Sequence, residues 1–195
     1  MLLFWRYGYE ATSLQCLTEA MGITPPSLYS AFGDKKQLFL EAVELYTTGE
    51  SASATGIIQA ASTAREAVWN LLQSSAIAFT GADIPPGCML ISSATNCTPA
   101  SVDVQDALAK IRLSNEAALK EKIQTEVDDG ALPRETNAAA LASLYMGVIQ
   151  GMSTQARDGA SRTKLRAMAE ASMQAWPEAK PARTTLKTSN QPFCD

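Results

Sequence analysis

Between Thr12 and Phe39 the chain reads TSLQCLTEAMGITPPSLYSAFGDKKQLF, and its hydroxyls stand where helices should start. A Ser or Thr just before an apolar-periodic run accepts hydrogen bonds from the first unpaired N–H groups of a helix. Thr12 or Ser13 precedes Leu14, Leu17 and Met21; Thr24 precedes Pro25, and Pro at a first helical position loses nothing by lacking an N–H. Gly22, between the two runs, tolerates the positive φ of a tight turn. The expected product is helix, turn, helix. Its second helix carries almost no charge and projects Thr24, Pro26, Ser27 and Ser30 outward. Hydroxyls and backbone amides at a helix start bond phosphate oxygens and base edges, so the chemistry on offer is recognition of a nucleic-acid groove. Tyr29 can reach a phosphate through its hydroxyl, and Lys35 opens the following helix, where its charge attracts another.

Other chemistries are poorly supplied. The 195 residues include no histidine, which removes histidine triads, histidine metal sites and an imidazole pH switch. No carboxylates cluster with convergent spacing, and there is no glycine-rich phosphate loop or metal motif. The reading is therefore not an enzyme, with no cofactor and no metal. The four cysteines, Cys16, Cys88, Cys97 and Cys194, form no CxxC pair and read as reduced thiols. Cys88 and Cys97 bracket a short apolar helix expected over 88–96. Nine residues of helix span about 13.5 Å, too far for a disulfide. Buried structural cysteine is the preferred reading over a reactive thiol sensor.

The elements that must hold this motif are helical throughout, since no segment alternates with period two. Leu2, Leu3, Phe4 and Tyr7 read as the tail of a helix that Gly8 ends. Asp34 caps a helix striped with Leu38, Phe39, Ala42, Val43 and Tyr46. Residues 47–63, rich in Thr, Ser, Gly and Ala, read as its fraying end and a connection. Thr63 caps a helix to Phe79, with Glu66 completing a capping box. Long helices follow from Pro99 or Ser101 to Asp129 and from Thr136 or Asn137 to Asp158, then a last one over Arg162–Trp176. The polar, proline-bearing tail over 177–195 reads as disordered. The domains so drawn are 1–47, a helix-turn-helix head, and 48–176, a helical regulatory and dimerisation body. No run reaches the roughly 18 to 20 apolar residues of a membrane span, and a cytoplasmic location with no membrane partner is expected.

The string G-Y-x-A-T-S-L-x-x-L-T-x-A-M-G-I-x-x-P-S-L-Y-x-A-F-G-D-K-x-x-L-F, from Gly8 to Phe39, closely resembles the DNA-binding domain of the tetracycline-repressor-like (TetR) family. That resemblance implies an all-α homodimer with a DNA-reading head and a ligand-binding body. By analogy with the family, Thr12, Ser13, Thr24, Pro26, Ser27, Tyr29 and Lys35 contact double-stranded operator DNA. Looser likenesses follow at Gly87–Ala94, Asp128–Pro133 and Tyr145–Ala160. Against the family pattern the chain begins inside the first helix. The net charge is −4, and over the first 50 residues Arg6, Lys35 and Lys36 face Glu10, Glu19, Asp34, Glu41, Glu44 and Glu50, a balance of −3. An N-terminally extended form is therefore expected to bind DNA more tightly.

In the body, Leu141, Leu144, Tyr145, Val148 and Met152 share one helix face, Gly147 and Gly151 permit close approach, and Leu165, Met168, Ala169, Ser172 and Trp176 make a matching stripe. Two such helices suggest a four-helix interface across a two-fold axis, and hence a palindromic operator. An effector pocket is expected among the helices from Thr63 to Asp158, with Trp69, Phe79, Met89, Asn96, Tyr145, Met146 and Ile149 as candidate lining for a mostly apolar small molecule. The function read is a dimeric repressor released from its operator by that molecule. The alternative is a helical interaction module, or a regulator impaired by its shortened N-terminus.

Overall fold

The computed structural model describes residues 1–48 and 53–178; most of the polar tail expected over 177–195 lies outside them. Among the described residues ten α-helices run in order: α1 (Leu2–Ala11), α2 (Leu14–Met21), α3 (Pro25–Phe32), α4 (Lys35–Thr48), α5 (Ala54–Ala60), α6 (Ala64–Ala78), α7 (Met89–Ser92), α8 (Val102–Asp128), α9 (Ala138–Arg157) and α10 (Arg162–Ser172). Single 3₁₀ turns lead into α8 and follow α10. No strand occurs among the described residues, as the helical periodicity predicts.

The expected caps form. Ser13, not Thr12, caps α2 by accepting from Cys16 N–H, and Gly22 ends that helix at φ 65°. Thr63 accepts from Glu66 N–H at 3.1 Å. The Glu66 carboxylate reaches back one residue further than a capping box requires, to Ser62 N–H at 2.8 Å. Asp34 accepts from Gln37 N–H, and Asn137 from Ala140 N–H.

Three elements differ from the sequence expectation. The stretch read as a connection contains α5, capped by Ser53 through Gly56 N–H at 3.0 Å. Its Ile58 is buried, and packing on α6 and α8 makes a helix from a composition that would not hold one alone. The helix expected over 88–96 stops at Ser92. Ser92 and Ser93 hydroxyls donate back to Cys88 and Met89 carbonyls, and the Ser93 carbonyl is taken by Tyr9 N–H at 2.6 Å. Finally, Gly8 breaks the first helix as expected, at φ 84° and ψ 172°, but one further turn follows it at once within α1. A Cβ at Gly8 would lie 3.2 Å from that same Ser93 oxygen.

The core is continuous from head to body. Phe4, Tyr9 and Phe39 form an aromatic cluster, with Phe4 and Tyr9 each edge-on to Phe39 at 5.0 and 5.1 Å between centroids. Each such pair adds about 0.5–1.5 kcal/mol to simple burial. Leu17 and Leu28 join α2 to α3 from within, whereas Met21, in the same apolar run as Leu17, is exposed. In the body, α8 packs along α9, and α6 lies against α5 and α10.

Candidate DNA interface and its coupling to the body

The residues expected to read DNA fall into two sets. Ser13, Thr24, Pro26, Ser27 and Tyr29 are exposed, and so is Ser30. On α3 the buried side chain is Leu28, with Phe32 half-buried against the core, so the helix turns its polar positions to solvent. Thr24 and Ser27 hydroxyls share a hydrogen bond of 2.9 Å, and Thr24 also accepts from Ser27 N–H at 3.4 Å. The cap that starts the helix is therefore itself part of the exposed polar face. Thr12 belongs to the other set. It is 1% exposed, and its hydroxyl donates to the Gly8 carbonyl at 2.6 Å. Its side chain closes the last turn of α1 and is buried, unlike those of the other expected contacts.

Lys35 is half-buried at the start of α4. Its ammonium sits 4.4 Å above the centre of the Tyr9 ring and donates to the Glu10 carbonyl at 3.4 Å. Burial lowers its pKa from the ordinary lysine value, and the nearby Glu10 charge opposes that shift. Lys36 pairs with Asp103 at the first turn of α8.

The head is joined to the body by polar contacts around residues 88–103, which sequence reasoning did not single out. Glu10 accepts from Thr98 N–H at 2.9 Å and from its hydroxyl at 3.0 Å. Those bonds, the backbone one foremost, hold the Glu10 carboxyl below the usual carboxylate range. Arg157, at the end of α9, donates to the carbonyls of Trp5 and Arg6 and to Ser92 Oγ, each at 3.3 Å. Tyr46 Oη donates to Cys88 Sγ at 3.4 Å. Cys88 is buried, and that burial pushes its thiol pKa up, as expected of a structural cysteine rather than a reactive one.

Neither of two surface recesses is lined by the expected pocket residues. Phe79, Met89 and Tyr145 are buried in the packed core, and Tyr145 Oη donates to the Ser172 carbonyl at 3.3 Å. Met146 and Ile149 are half-buried against it, while Trp69 and Asn96 are exposed. The recesses found are open to solvent. One, of about 600 Å³, lies between residues 80–86 and the turn joining α9 to α10. Another, of about 450 Å³, lies beside the start of α9 and the end of the chain's last turn. Among the described residues no group of side chains could hold a metal, and no helix is long and apolar enough to cross a membrane.

Residues 1–42 match the model for bacterial regulatory proteins of the tetR family, and residues 64–172 match the tetracyclin repressor-like C-terminal domain. The chain belongs to the TetR family. It is 34% identical over 179 residues to the HTH-type transcriptional repressor ComR of Escherichia coli, covering 91% of this chain and 85% of that protein. The HTH-type transcriptional repressor BdcR of the same organism is 27% identical over 86% of this chain and 80% of its own length. Among solved structures, a cysteine-substituted form of the TetR family regulator CifR, bound to a 26 bp double-strand operator, superposes with a TM-score of 0.84 at 39% identity. That match covers 90% of this chain and 92% of CifR. This TetR family member is thus a sequence-specific DNA-binding transcriptional regulator, all-α, with its helix-turn-helix at the N-terminus.

Proposed function

We propose that this regulator is a homodimeric repressor whose head reads one half of a palindromic operator and whose body releases it when a small molecule binds. The observation that carries the reading is the exposed face of α3. Thr24, Pro26, Ser27, Tyr29 and Ser30 are open to solvent around a single buried anchor, Leu28, with Ser13 and Lys35 at the neighbouring helix starts. These six hydroxyl, proline and ammonium positions other than Ser30 are the proposed DNA contacts: Ser13, Thr24, Pro26, Ser27, Tyr29 and Lys35. ComR and CifR, a named repressor and a protein solved on operator DNA, support the same reading. The head spans 1–47 and the body 48–176.

The dimer surface lies on the outer face of α9. Leu141, Tyr145 and Met152 are buried within the protomer, so the stripe read from sequence is mostly internal core. The opposite face presents Ala140, Leu144, Gly147 and Thr154, with Gly151 half-buried between them. Nothing lies within 4 Å of where a Cβ would stand on Gly147 or Gly151, and Leu144 is 44% exposed. This spacing of four and three suits a second helix at close range, and the last helices of a second copy supply one. Effector action follows from linkage: the ligand must prefer the arrangement that binds DNA less well. Met89 is packed in the core, so an apolar effector seated against it displaces α7, and α7 is followed at once by the Ser93 carbonyl that holds Tyr9.

The test has two parts. Duplexes enriched by the protein from a random-sequence pool should contain an inverted repeat, and Tyr29→Ala or Ser27→Ala should weaken their binding. Leu144→Glu should convert a dimer to a monomer in light scattering. Failure to enrich any sequence, or a Leu144→Glu protein that stays dimeric, refutes the corresponding half.

A further inference from the structure

The DNA contact least explained by its own helix is Lys35. A lysine at an exposed helix start has a four-carbon stem, and freezing it on a phosphate costs rotamer freedom. Here the stem is already committed. The ammonium stands 4.4 Å over the Tyr9 ring and donates to the Glu10 carbonyl. Tyr9 cannot swing away, because its ring is edge-on to Phe39, stacked with Phe4, and 9% exposed. Both holding residues lie in the turn of α1 beyond the Gly8 bend, a turn that the Tyr9 N–H to Ser93 bond fixes. Glu10 is tied in addition to the body, through Thr98 N–H and hydroxyl. The chain of contacts therefore runs from Thr98 to Glu10 to Lys35, beside the exposed face of α3.

We propose that Tyr9 and Glu10 are positioning residues for Lys35, holding its ammonium ready for an operator phosphate, and that the Glu10–Thr98 bonds set that position from the body. The proposal rests on the reading of Lys35 as a DNA contact. It assigns the last turn of α1 a part in DNA affinity although neither Tyr9 nor Glu10 offers a side chain to the groove. It also gives the body a route to the head besides tilting it: movement at 98–101 shifts Glu10, and Lys35 loses one of its two supports.

A double-mutant cycle on a duplex enriched by the parent protein separates this from simple structural support. Lys35→Ala should lower affinity about tenfold and reduce the salt slope by about one. Tyr9→Leu, which removes the ring face, should cost three- to tenfold in the parent and almost nothing in the Lys35→Ala background. Tyr9→Phe, which keeps the face, should recover most of what Tyr9→Leu loses. Glu10 is exposed, so its variants keep the test alive should Tyr9→Leu fail to fold. Glu10→Gln and Glu10→Ala both remove a charge that repels DNA, but only Gln keeps an acceptor for Thr98. Glu10→Ala should therefore bind several-fold more weakly than Glu10→Gln, and the difference should vanish without Lys35. Equal losses with and without Lys35 overturn the proposal while leaving Lys35 a contact. An unweakened Lys35→Ala overturns the contact reading itself, and this proposal with it.

Discussion

The same residue types do opposite work in two regions of this molecule. On the recognition face, the hydroxyls of Ser13, Thr24, Ser27 and Ser30 are exposed. At the junction of head and body, Thr12, Ser93 and Ser153 are buried, and every one of their hydroxyls has a partner: Gly8 O, Met89 O and Cys88 N–H. A hydroxyl in solvent is free to exchange water for a phosphate. A buried one is already committed, and losing it strands its partner. Serine or threonine in the sequence therefore says little about DNA until its exposure is known, and Thr12, one residue from Ser13, shows how abruptly the two uses change.

The comparison can be broken most forcefully at Gly87. It sits at φ 80°, and a Cβ there would lie 2.8 Å from the Ser153 carbonyl and 2.9 Å from the hydroxyl that Cys88 N–H needs. Gly87→Ala should cost about 2–4 kcal/mol in urea unfolding at fixed protomer concentration. Ser153→Ala comes next: it leaves a buried N–H without an acceptor and should cost about 1–3 kcal/mol. A Ser153→Ala protein as stable as the parent would break the inward half of the comparison. On the outward half, Thr24→Ala should lose about 1 kcal/mol of stability as a helix cap and weaken operator binding as well. Ser27→Ala should leave stability within about 0.5 kcal/mol of the parent, and any weakening should appear in DNA binding alone.

The smallest effect concerns Glu10. Its carboxyl is held below the ordinary value of 4.5 by Thr98, so its stabilising bond is present above that value and is lost as pH falls through the lowered one. Any advantage of the parent over Glu10→Gln at neutral pH should therefore shrink below about pH 4.5, read from parallel acid unfolding curves.

The helix-turn-helix was legible because its signals are local. A cap acts across three residues, and Gly22 acts at its own φ, so Ser13, Thr24, Asp34 and Gly22 announce α2, α3 and α4 from sequence. The family string is built from such local requirements plus Leu17, Leu28 and Phe39, the anchors they serve. The body was less legible. Tyr145 and Met152 fit a pocket, a dimer face or an ordinary core equally well by type and spacing, and packing against α10 and its following turn made Tyr145 core, at 5.8 Å from Trp176. α5 escaped notice because only its neighbours make a helix of it.

The sequence by itself determined a helical chain of the TetR family with a capped, weakly charged recognition helix, because period, caps and turn glycines act within a few residues. Only the tertiary structure decided which hydroxyls face solvent, that α9 turns Gly147 and Gly151 outward, and that Lys35 rests on Tyr9 and Glu10. Those outcomes depend on contacts between residues as far apart in the chain as Glu10 and Thr98, and such contacts exist only once the helices have packed.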